Sequence, residues 1–368
     1  MAFNDLLYPL PANFGVPGVQ VNPTGTCYLG GFAWVYISQV WRMYRFRISD
    51  GVIVDFTGAA TTYSDVNAYR VISTGYSESP PVTDGLEVVQ LTSDGSLAKL
   101  TRYSPTDMTV IGTTALPGSI ANCISYKGVY DGIDSYWFAL YNYAKVLRVN
   151  ATTMAVSLWD TVSQPWDVTW DGTHLWVSTI AVGFYNVYKY TTAGAVVSAS
   201  PVGGPCRAIH FDGTYIWAGL AGFVTRIRAS DSQFIDSTGA VVGDYTLARF
   251  YLHEPADVAA ISSYGDTLFV TNDNAGLGSS VNRFRLLDGL YGGYFPGFAR
   301  DPRNISMVGT RMIVTNNLGT GLDGFPQVAL MNFDVPPCPP FPPTEVLTGA
   351  AQGCNVLPAP TGGQAAIA

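Results

Sequence analysis

Histidine and glutamate are the residue types in this chain best suited to act as a general base or a metal ligand, and both are scarce. There are three histidines and four glutamates: His174, His210, His253, Glu78, Glu87, Glu254 and Glu345. His253 and Glu254 are adjacent, but Pro255 follows them and the spacing is not that of an HExxH zinc helix. We therefore interpret His253 as a loop residue.

The other two histidines fall within two similar stretches of sequence. His174 lies in "DGTHLW", and its counterpart in the second stretch is Tyr215. His210 precedes "FDG" in the second stretch. Exchange of His174 with an aromatic residue is typical of a variable strand position, and we interpret both histidines as packing or edge residues. The sequence predicts no catalytic, cofactor-binding or metal-binding residue and no enzymatic activity.

Three further stretches resemble binding motifs only in part. "TNDNAGLGSS" at 271–280 clusters oxygen ligands but lacks the terminal glutamate of an EF-hand, so it is interpreted as an Asn/Gly turn between strands. Gly319-Thr320-Gly321 precedes no helix and is not a phosphate loop. The aromatic stretch "LYGGYFPGF" at 290–298 could stack on sugar rings, but we favour packing in a long connection between blades.

The composition indicates a large core under an uncharged surface. Hydrophobic residues make up 48% of the 368 residues and aromatic residues 13%, whereas 12% are charged, against roughly 25% in typical globular domains. The net charge is −8 and no run of Lys or Arg occurs, which excludes a nucleic-acid groove built on phosphate neutralisation.

The cysteines and the N-terminal residues indicate whether the chain forms disulfide bonds and in which cellular compartment it is made. Cys27, Cys123 and Cys206 are far apart and are predicted to be buried small hydrophobic residues, while a Cys338–Cys354 bridge is an alternative for the last two. "MAFNDLLYPL" lacks a basic start and a continuous apolar run, so we expect synthesis in a host cytoplasm without a signal peptide, and no membrane insertion.

The elements that must position these residues are repeated strands. "PWDVTWDGTHLWVST" at 165–179 is echoed by "PCRAIHFDGTYIWAGL" at 205–220, and similar anchors recur along the chain, at Trp34, Val89, Trp137, Trp176, Trp217, Phe269 and Ile313. Each anchor lies in an apolar run that is followed by an alternating one, as half-buried strands require. The period predicts an all-β, seven-bladed β-propeller of four-stranded antiparallel blades.

These repeats resemble those of the broad family of bacterial propellers that includes streptogramin-lyase-like and NHL-like proteins. The resemblance is sharp over 165–220 and diffuse over the other five blades. It implies a propeller fold. Streptogramin lyases use histidines, a glutamate and a divalent metal on one face of the ring, and few such residues are present here.

We expect three regions: an N-terminal arm at 1–23, a propeller at 24–334 and a Pro/Gly/Ala-rich C-terminal arm at 335–368. "GVQV" at 18–21 is a candidate for the strand that closes the first and last blades.

Few residues suited to catalysis, an uncharged surface and terminal arms together favour a part of an assembly. The chain is similar in style to propellers of bacteriophage virions, found in tails, nozzles, fibres and capsid decorations. We therefore expect a virion structural protein in multiple copies that contacts other virion proteins, with a host-surface glycan as a further partner. The alternatives are a lyase or hydrolase with a site in the central channel, and a sugar-binding lectin.

Overall fold

The computed structural model describes residues 23–37, 41–62, 65–71, 79–93, 97–121, 123–253, 256–273, 279–298, 300–308, 311–318 and 328–332. Throughout these residues the chain is built from β-strands. The helical elements described are three 3-10 turns of three residues each, Gly118–Ile120, Tyr141–Tyr143 and Tyr245–Leu247. The prediction of an all-β propeller of antiparallel blades is confirmed.

The described strands form seven antiparallel sheets, which we number as blades 1 to 7 in chain order. Blade 1 contains β1 (Pro23–Leu29), β2 (Phe32–Ile37), β3 (Arg42–Arg47), β4 (Ile53–Val54) and β5 (Tyr69–Val71). Blade 2 contains β6 (Val82–Thr83), β7 (Val88–Ser93), β8 (Ala98–Tyr103) and β9 (Val110–Ala115). Blade 3 contains β10 (Gly128–Tyr130), β11 (Ser135–Leu140), β12 (Lys145–Asn150) and β13 (Val156–Asp160).

The remaining blades follow the same order from the innermost to the outermost strand. Blade 4 contains β14 (Pro165–Trp170), β15 (Leu175–Thr179), β16 (Asn186–Tyr190) and β17 (Val196–Pro201). Blade 5 contains β18 (Ala208–Phe211), β19 (Tyr215–Leu220), β20 (Phe223–Arg228), β21 (Phe234–Ile235), β22 (Val241–Val242) and β23 (Arg249–Tyr251). Blade 6 contains β24 (Asp257–Tyr264), β25 (Thr267–Asp273), β26 (Ser279–Arg285) and β27 (Tyr291–Phe298), and blade 7 contains β28 (Arg300–Val308), β29 (Arg311–Leu318) and β30 (Val328–Asn332).

The first strands of the blades form a closed ring. They contact one another in the order β1, β6, β10, β14, β18, β24 and β28, and β28 contacts β1 again. Closure lets each sheet bury both faces against its neighbours, which an isolated four-stranded sheet cannot do. Hydrophobic clusters accordingly lie between blades, as where Trp217 of blade 5 packs with Val258 and Leu268 of blade 6.

The last blade differs from the prediction. Blades 2, 3, 4 and 6 have the predicted four strands, whereas blades 1 and 5 have five and six, and blade 7 has three among the described residues. The prediction of seven four-stranded blades was therefore wrong for these three blades. The chain that follows β30 reads "VPPCPPFPP", and proline has no N–H to donate to a strand ladder. The "GVQV" stretch, residues 1–22 of the predicted N-terminal arm and the whole C-terminal arm lie outside the described residues, and Pro23 is the first residue of β1.

A carboxylate explains the repeated sequence around the anchors. Trp176 and Trp217 are fully buried, and each Nε1–H donates to the aspartate that opens the preceding turn, Asp171 or Asp212, at 2.7 Å. The glycine after each aspartate has positive φ, +94° at Gly172, which favours glycine. Trp137 is tied to Asp131 in the same way at 3.1 Å. All seven predicted anchors are buried.

Blades 1 and 5 share an additional turn and additional outer strands that were not predicted from the sequence. "RFRISDGVIVDFTGA" at 45–59 and "RIRASDSQFIDSTGA" at 226–240 align without a gap. In each, an aspartate, Asp55 or Asp236, accepts backbone N–H groups from two and four residues ahead. The resulting turn splits the outer part of the blade, so that β4 and β5 pair with β3, while β21 and β23 pair with β20.

Basic side chains connect neighbouring blades. Arg45 is fully buried and donates to the carbonyls of Pro105 and Thr106 in the β8–β9 turn of blade 2, at 2.9 Å each. Arg226 of blade 5 contacts Leu286 and Leu287 of blade 6 in the same way, at 3.1 and 2.8 Å. Lys189 of blade 4 reaches Ala229 of blade 5, and Arg311 of blade 7 reaches Ser49 of blade 1.

Cys27, Cys123 and Cys206 are buried free thiols, which confirms that prediction, and Cys338 and Cys354 lie outside the described residues. Within the described ranges, the structure contains no helix with the length and apolar character required to cross a bilayer.

Candidate functional site

The structure separates the residues that first suggested chemistry. His174 is half-buried, and its Nδ1 lies 3.7 Å from Asp171 Oδ2 in the turn that ties down Trp176. His210 Nε2 lies 2.7 Å from Ser263 Oγ, between blades 5 and 6, and burial lowers the pKa of His210 to about 4. His253 stacks on Tyr294, with ring centroids 4.0 Å apart.

The glutamates do not join these histidines in the described part of the chain. Glu87 is buried and accepts from Arg102 Nε at 2.6 Å, while Glu78, Glu254 and Glu345 lie outside the described residues. Among the described residues, no group of three His, Cys, Asp or Glu side chains is placed to hold a metal ion.

Of the three partial motifs, Gly319-Thr320-Gly321 lies outside the described residues, and the other two have packing roles where they are described. In "TNDNAGLGSS", residues 274–278 lie outside the described residues, and Asn272 is buried, with Oδ1 accepting the Ser280 N–H at 2.8 Å. The stretch "LYGGYFPGF" was expected to connect two blades, and this was wrong: Tyr291–Phe298 is β27, the outer strand of blade 6. The Tyr291 ring packs edge-on against Phe284 of β26, and the Tyr294 ring stacks on His253.

A row of aromatic and charged side chains was missed. Its members lie where the chain enters the inner strands of blades 3 to 6, or in the β11–β12 turn at the same end of blade 3; we call them the Trp166 row: Tyr126, Tyr141, Trp166, Arg207 and Asp257. Because the inner strands all run in the same direction around the ring, their first residues meet at one face, opposite the turns that carry Asp171 and Asp212.

Contacts run continuously along the Trp166 row. The Tyr126 and Trp166 rings stack with centroids 3.8 Å apart, and Tyr141 packs edge-on against Trp166 at 5.5 Å. The Arg207 guanidinium carbon lies 5.7 Å from the Trp166 ring centroid, and Arg207 Nη1 donates to Asp257 Oδ2 at 2.6 Å. Four blades therefore contribute to one chain of side chains, all of which are half-buried.

A buried carboxylate next to Trp166 in the chain connects the inner strands of blades 4 and 5. Asp167 Oδ1 accepts the Val168 N–H at 2.7 Å and Oδ2 accepts the Ile209 N–H at 2.9 Å, which ties β14 to β18. Burial raises the pKa of Asp167 to about 6, although the charge of Lys127 lowers it. Burial, together with the Asp167 charge, raises the pKa of the adjacent Cys206 thiol to about 12, which keeps this thiol protonated and unreactive.

The sequence does contain a signal for this row, because three of its members each lie five residues before the aspartate that opens the turn, Asp131, Asp171 or Asp212. Reading down the repeats at that position gives Tyr126, Trp166 and Arg207. The signal was overlooked because the anchors, which are similar from repeat to repeat, define the alignment, whereas this position varies.

Two outer strands, β9 of blade 2 and β17 of blade 4, have an unusual composition, and we call these two strands the uncharged outer rim. The outer strand between them, β13, carries the exposed Asp160, paired with Lys145. Val110, Ile111, Val196 and Val197 are each about half exposed, between 49% and 54%, on the outer strands β9 and β17. These strands read "VIGTTA" and "VVSASP" and contain no charged residue. Outer edges of sheets are usually protected by charges or by very short strands, so this rim has the composition of a contact surface.

Comparison with known proteins bears on the fold. No protein-family description and no curated protein sequence matches the chain. Among solved structures, it is similar to virginiamycin B lyase from Staphylococcus aureus, with a TM-score of 0.62 and 14% identity over 90% of this chain and 100% of that one. It is also similar to U3-55K (TM-score 0.60, 9% identity, 86% of this chain and 97% of that one).

A chain of the mitotic checkpoint complex is similar as well, with a TM-score of 0.61 and 11% identity over 90% of this chain and 93% of that one. These proteins share the ring of antiparallel blades, and at such identities the likeness extends to the fold alone. The chain therefore has the β-propeller fold.

Proposed function

We propose that the protein is a structural component of a bacteriophage virion, a propeller of the tail, fibre or capsid that acts through contacts with other virion proteins. The observation that carries the proposal is the uncharged outer rim, where β9 and β17 expose pairs of β-branched residues. A protein that works alone in solution would expose such strand edges to aggregation, whereas in an assembly a neighbour covers them.

The low charge of the whole chain supports the same proposal. Charged residues are 12% of the total, so most of the surface is formed by uncharged groups, as is typical of the buried part of an interface. The location proposed is the virion, with multiple copies in a symmetric array and a host-surface glycan as an additional partner.

The test is quantitative mass spectrometry of intact particles from the native source, purified by density gradient. We expect this chain at a fixed multiple of three, five or six copies per particle, since symmetric sites in virions have those multiplicities. Its absence from any large particle would refute the proposal. If the chain is absent from particles, the enzyme alternative is tested next by substituting His174, His210 and His253 with alanine. An enzymatic activity that survives these substitutions would exclude a histidine-based enzyme.

A further inference from the structure

We infer that the Trp166 row binds an uncharged saccharide at the face where the chain enters each blade. The inference deepens the proposed host-surface contact and rests on that part of the proposed function. It assigns the contact to Tyr126, Tyr141, Trp166, Arg207 and Asp257, and it defines the ligand by its chemistry.

The ionic pair supplies what a sugar hydroxyl requires. A hydroxyl both donates and accepts hydrogen bonds, so a donor and an acceptor placed side by side can hold two neighbouring hydroxyls. Arg207 Nη1 and Asp257 Oδ2 are 2.6 Å apart, and both side chains remain accessible, at 41% and 45% exposure. Within the described ranges, Arg207 Nη2 and Asp257 Oδ1 make no hydrogen bond, so each partner retains a group for a ligand.

The aromatic side chains supply the second requirement, an apolar surface for the C–H face of a sugar ring. Tyr126 and Tyr141 are half-exposed and are held by contact with Trp166, so they lose little side-chain entropy when a ligand binds. Combined aromatic surface and a few fixed polar groups are the usual composition of a small-ligand site.

The charges of the row determine the class of saccharide. Arg207 and Asp257 neutralise one another, and a charged ligand would have to compete with one partner of that pair for the other. The hydroxyl groups of an uncharged saccharide accept a hydrogen bond from the Arg207 guanidinium and donate one to the Asp257 carboxylate, and the ion pair stays intact. The row therefore favours neutral hexoses or N-acetylhexosamines over sialylated or sulfated glycans.

The experiment uses the full chain on an array of neutral glucose, mannose, galactose and N-acetylglucosamine hexamers, with sialylated and sulfated glycans beside them, followed by calorimetric titration of each binder. We expect at least one neutral hexamer to bind. Asp257→Asn preserves shape but removes the charged acceptor, and it should weaken that binding roughly tenfold or more. Trp166→Leu should weaken it as well.

Asp231→Asn is the matched control, because Arg228 and Asp231 form an ion pair of similar exposure, 35% and 42%, away from the row. It should leave the affinity unchanged, and thermal melting should show that each variant is folded. Absence of neutral binders, binding restricted to charged glycans, or equal affinities for Asp257→Asn and wild type would each overturn the inference. Particle mass spectrometry tests the virion location independently of glycan binding. A chain that binds no neutral glycan can still be a virion component, and a chain that is absent from particles can still bind a neutral glycan.

Discussion

Individual cations hold the blades together. Arg45 and Arg226 lie in equivalent places, and in each case the guanidinium faces carbonyl oxygens and aromatic rings while no carboxylate pairs with it among the described residues. Burial lowers the pKa of both groups. Carbonyl dipoles from two blades and the faces of Trp34 and Trp217 compensate the charge.

We expect Arg226→Met to lower the free energy of unfolding by about 3 kcal/mol, because it removes the Arg226 hydrogen bonds to three carbonyls and leaves those of Leu286 and Leu287 without this donor. Urea unfolding would measure the change. Arg226→Lys should rescue it only in part, since an ammonium group cannot reproduce the planar fork. Arg228→Met, at an exposed pair, is the control and should show no measurable change; equal losses for the two methionine variants would contradict the prediction.

Two titrating residues should make stability depend on pH in opposite directions. Burial raises the pKa of Asp167 from 3.8 to about 6, so the folded state binds this proton at a higher pH and gains stability as the pH falls through 6 toward 4. Burial lowers the pKa of His210 from 6.5 to about 4, so its neutral form stabilises the fold above pH 6.5 and this contribution is lost as the pH falls toward 4.

Denaturant titrations between pH 4 and 7 would separate the two contributions. Asp167→Asn should make the free energy of unfolding fall more steeply as the pH decreases, and His210→Gln should make it fall less steeply or rise. The double variant should restore a profile close to that of the wild type. Variants whose pH profiles are parallel to the wild-type profile would show that neither group titrates in this range.

At the scale of strands, the features that recur from repeat to repeat were predicted from the sequence, whereas the features that differ between repeats were missed. All seven anchors are buried as expected, because alternation and the Asp-Gly turn are local signals. The split outer strands of blades 1 and 5 were missed because the turns at Asp55 and Asp236 depend on side-chain bonds to the backbone. The Trp166 row was missed because its residue types vary from repeat to repeat, and because Tyr126 and Asp257, 131 positions apart in sequence, are brought together only by ring closure.

The short last blade leads to an element-scale prediction. Residues 18–21 precede β1 by one position, where every other inner strand is preceded by the outer strand of the previous blade. If "GVQV" completes blade 7, Val19→Pro with Val21→Pro removes two ladder donors and should lower the melting temperature by several degrees. Val356→Pro, in the predicted C-terminal arm, is the control. An unchanged melt for the double variant would refute strand closure by this segment.

At the scale of the whole molecule, the uncharged rim and the proposed assembly are linked. Val197→Lys on β17 places a charge in the middle of the rim at an exposed position, so the isolated protein should fold with wild-type stability. Incorporation into particles, measured by mass spectrometry, should fall because a buried unpaired charge opposes docking. Val182→Lys, at a valine in the β15–β16 turn that is more exposed than Val197 (84% against 50%), should be incorporated normally. Normal incorporation of Val197→Lys would exclude β17 from the interface.

The contacts between blades also have a direction. Arg45, Lys189 and Arg226 each bind a turn in the blade that follows in sequence, and Arg311 of the last described blade binds the first. During synthesis the N-terminal blades leave the ribosome first, so Arg45, Lys189 and Arg226 each emerge before their partner turn, whereas Arg311 emerges after Ser49. Nascent blades therefore lack these hydrogen bonds until the next repeat emerges, and blade 1 lacks its contact with Arg311 until blade 7 emerges. The ring can therefore close only after blade 7 has emerged from the ribosome, because the first strand of that blade contacts both blade 6 and blade 1.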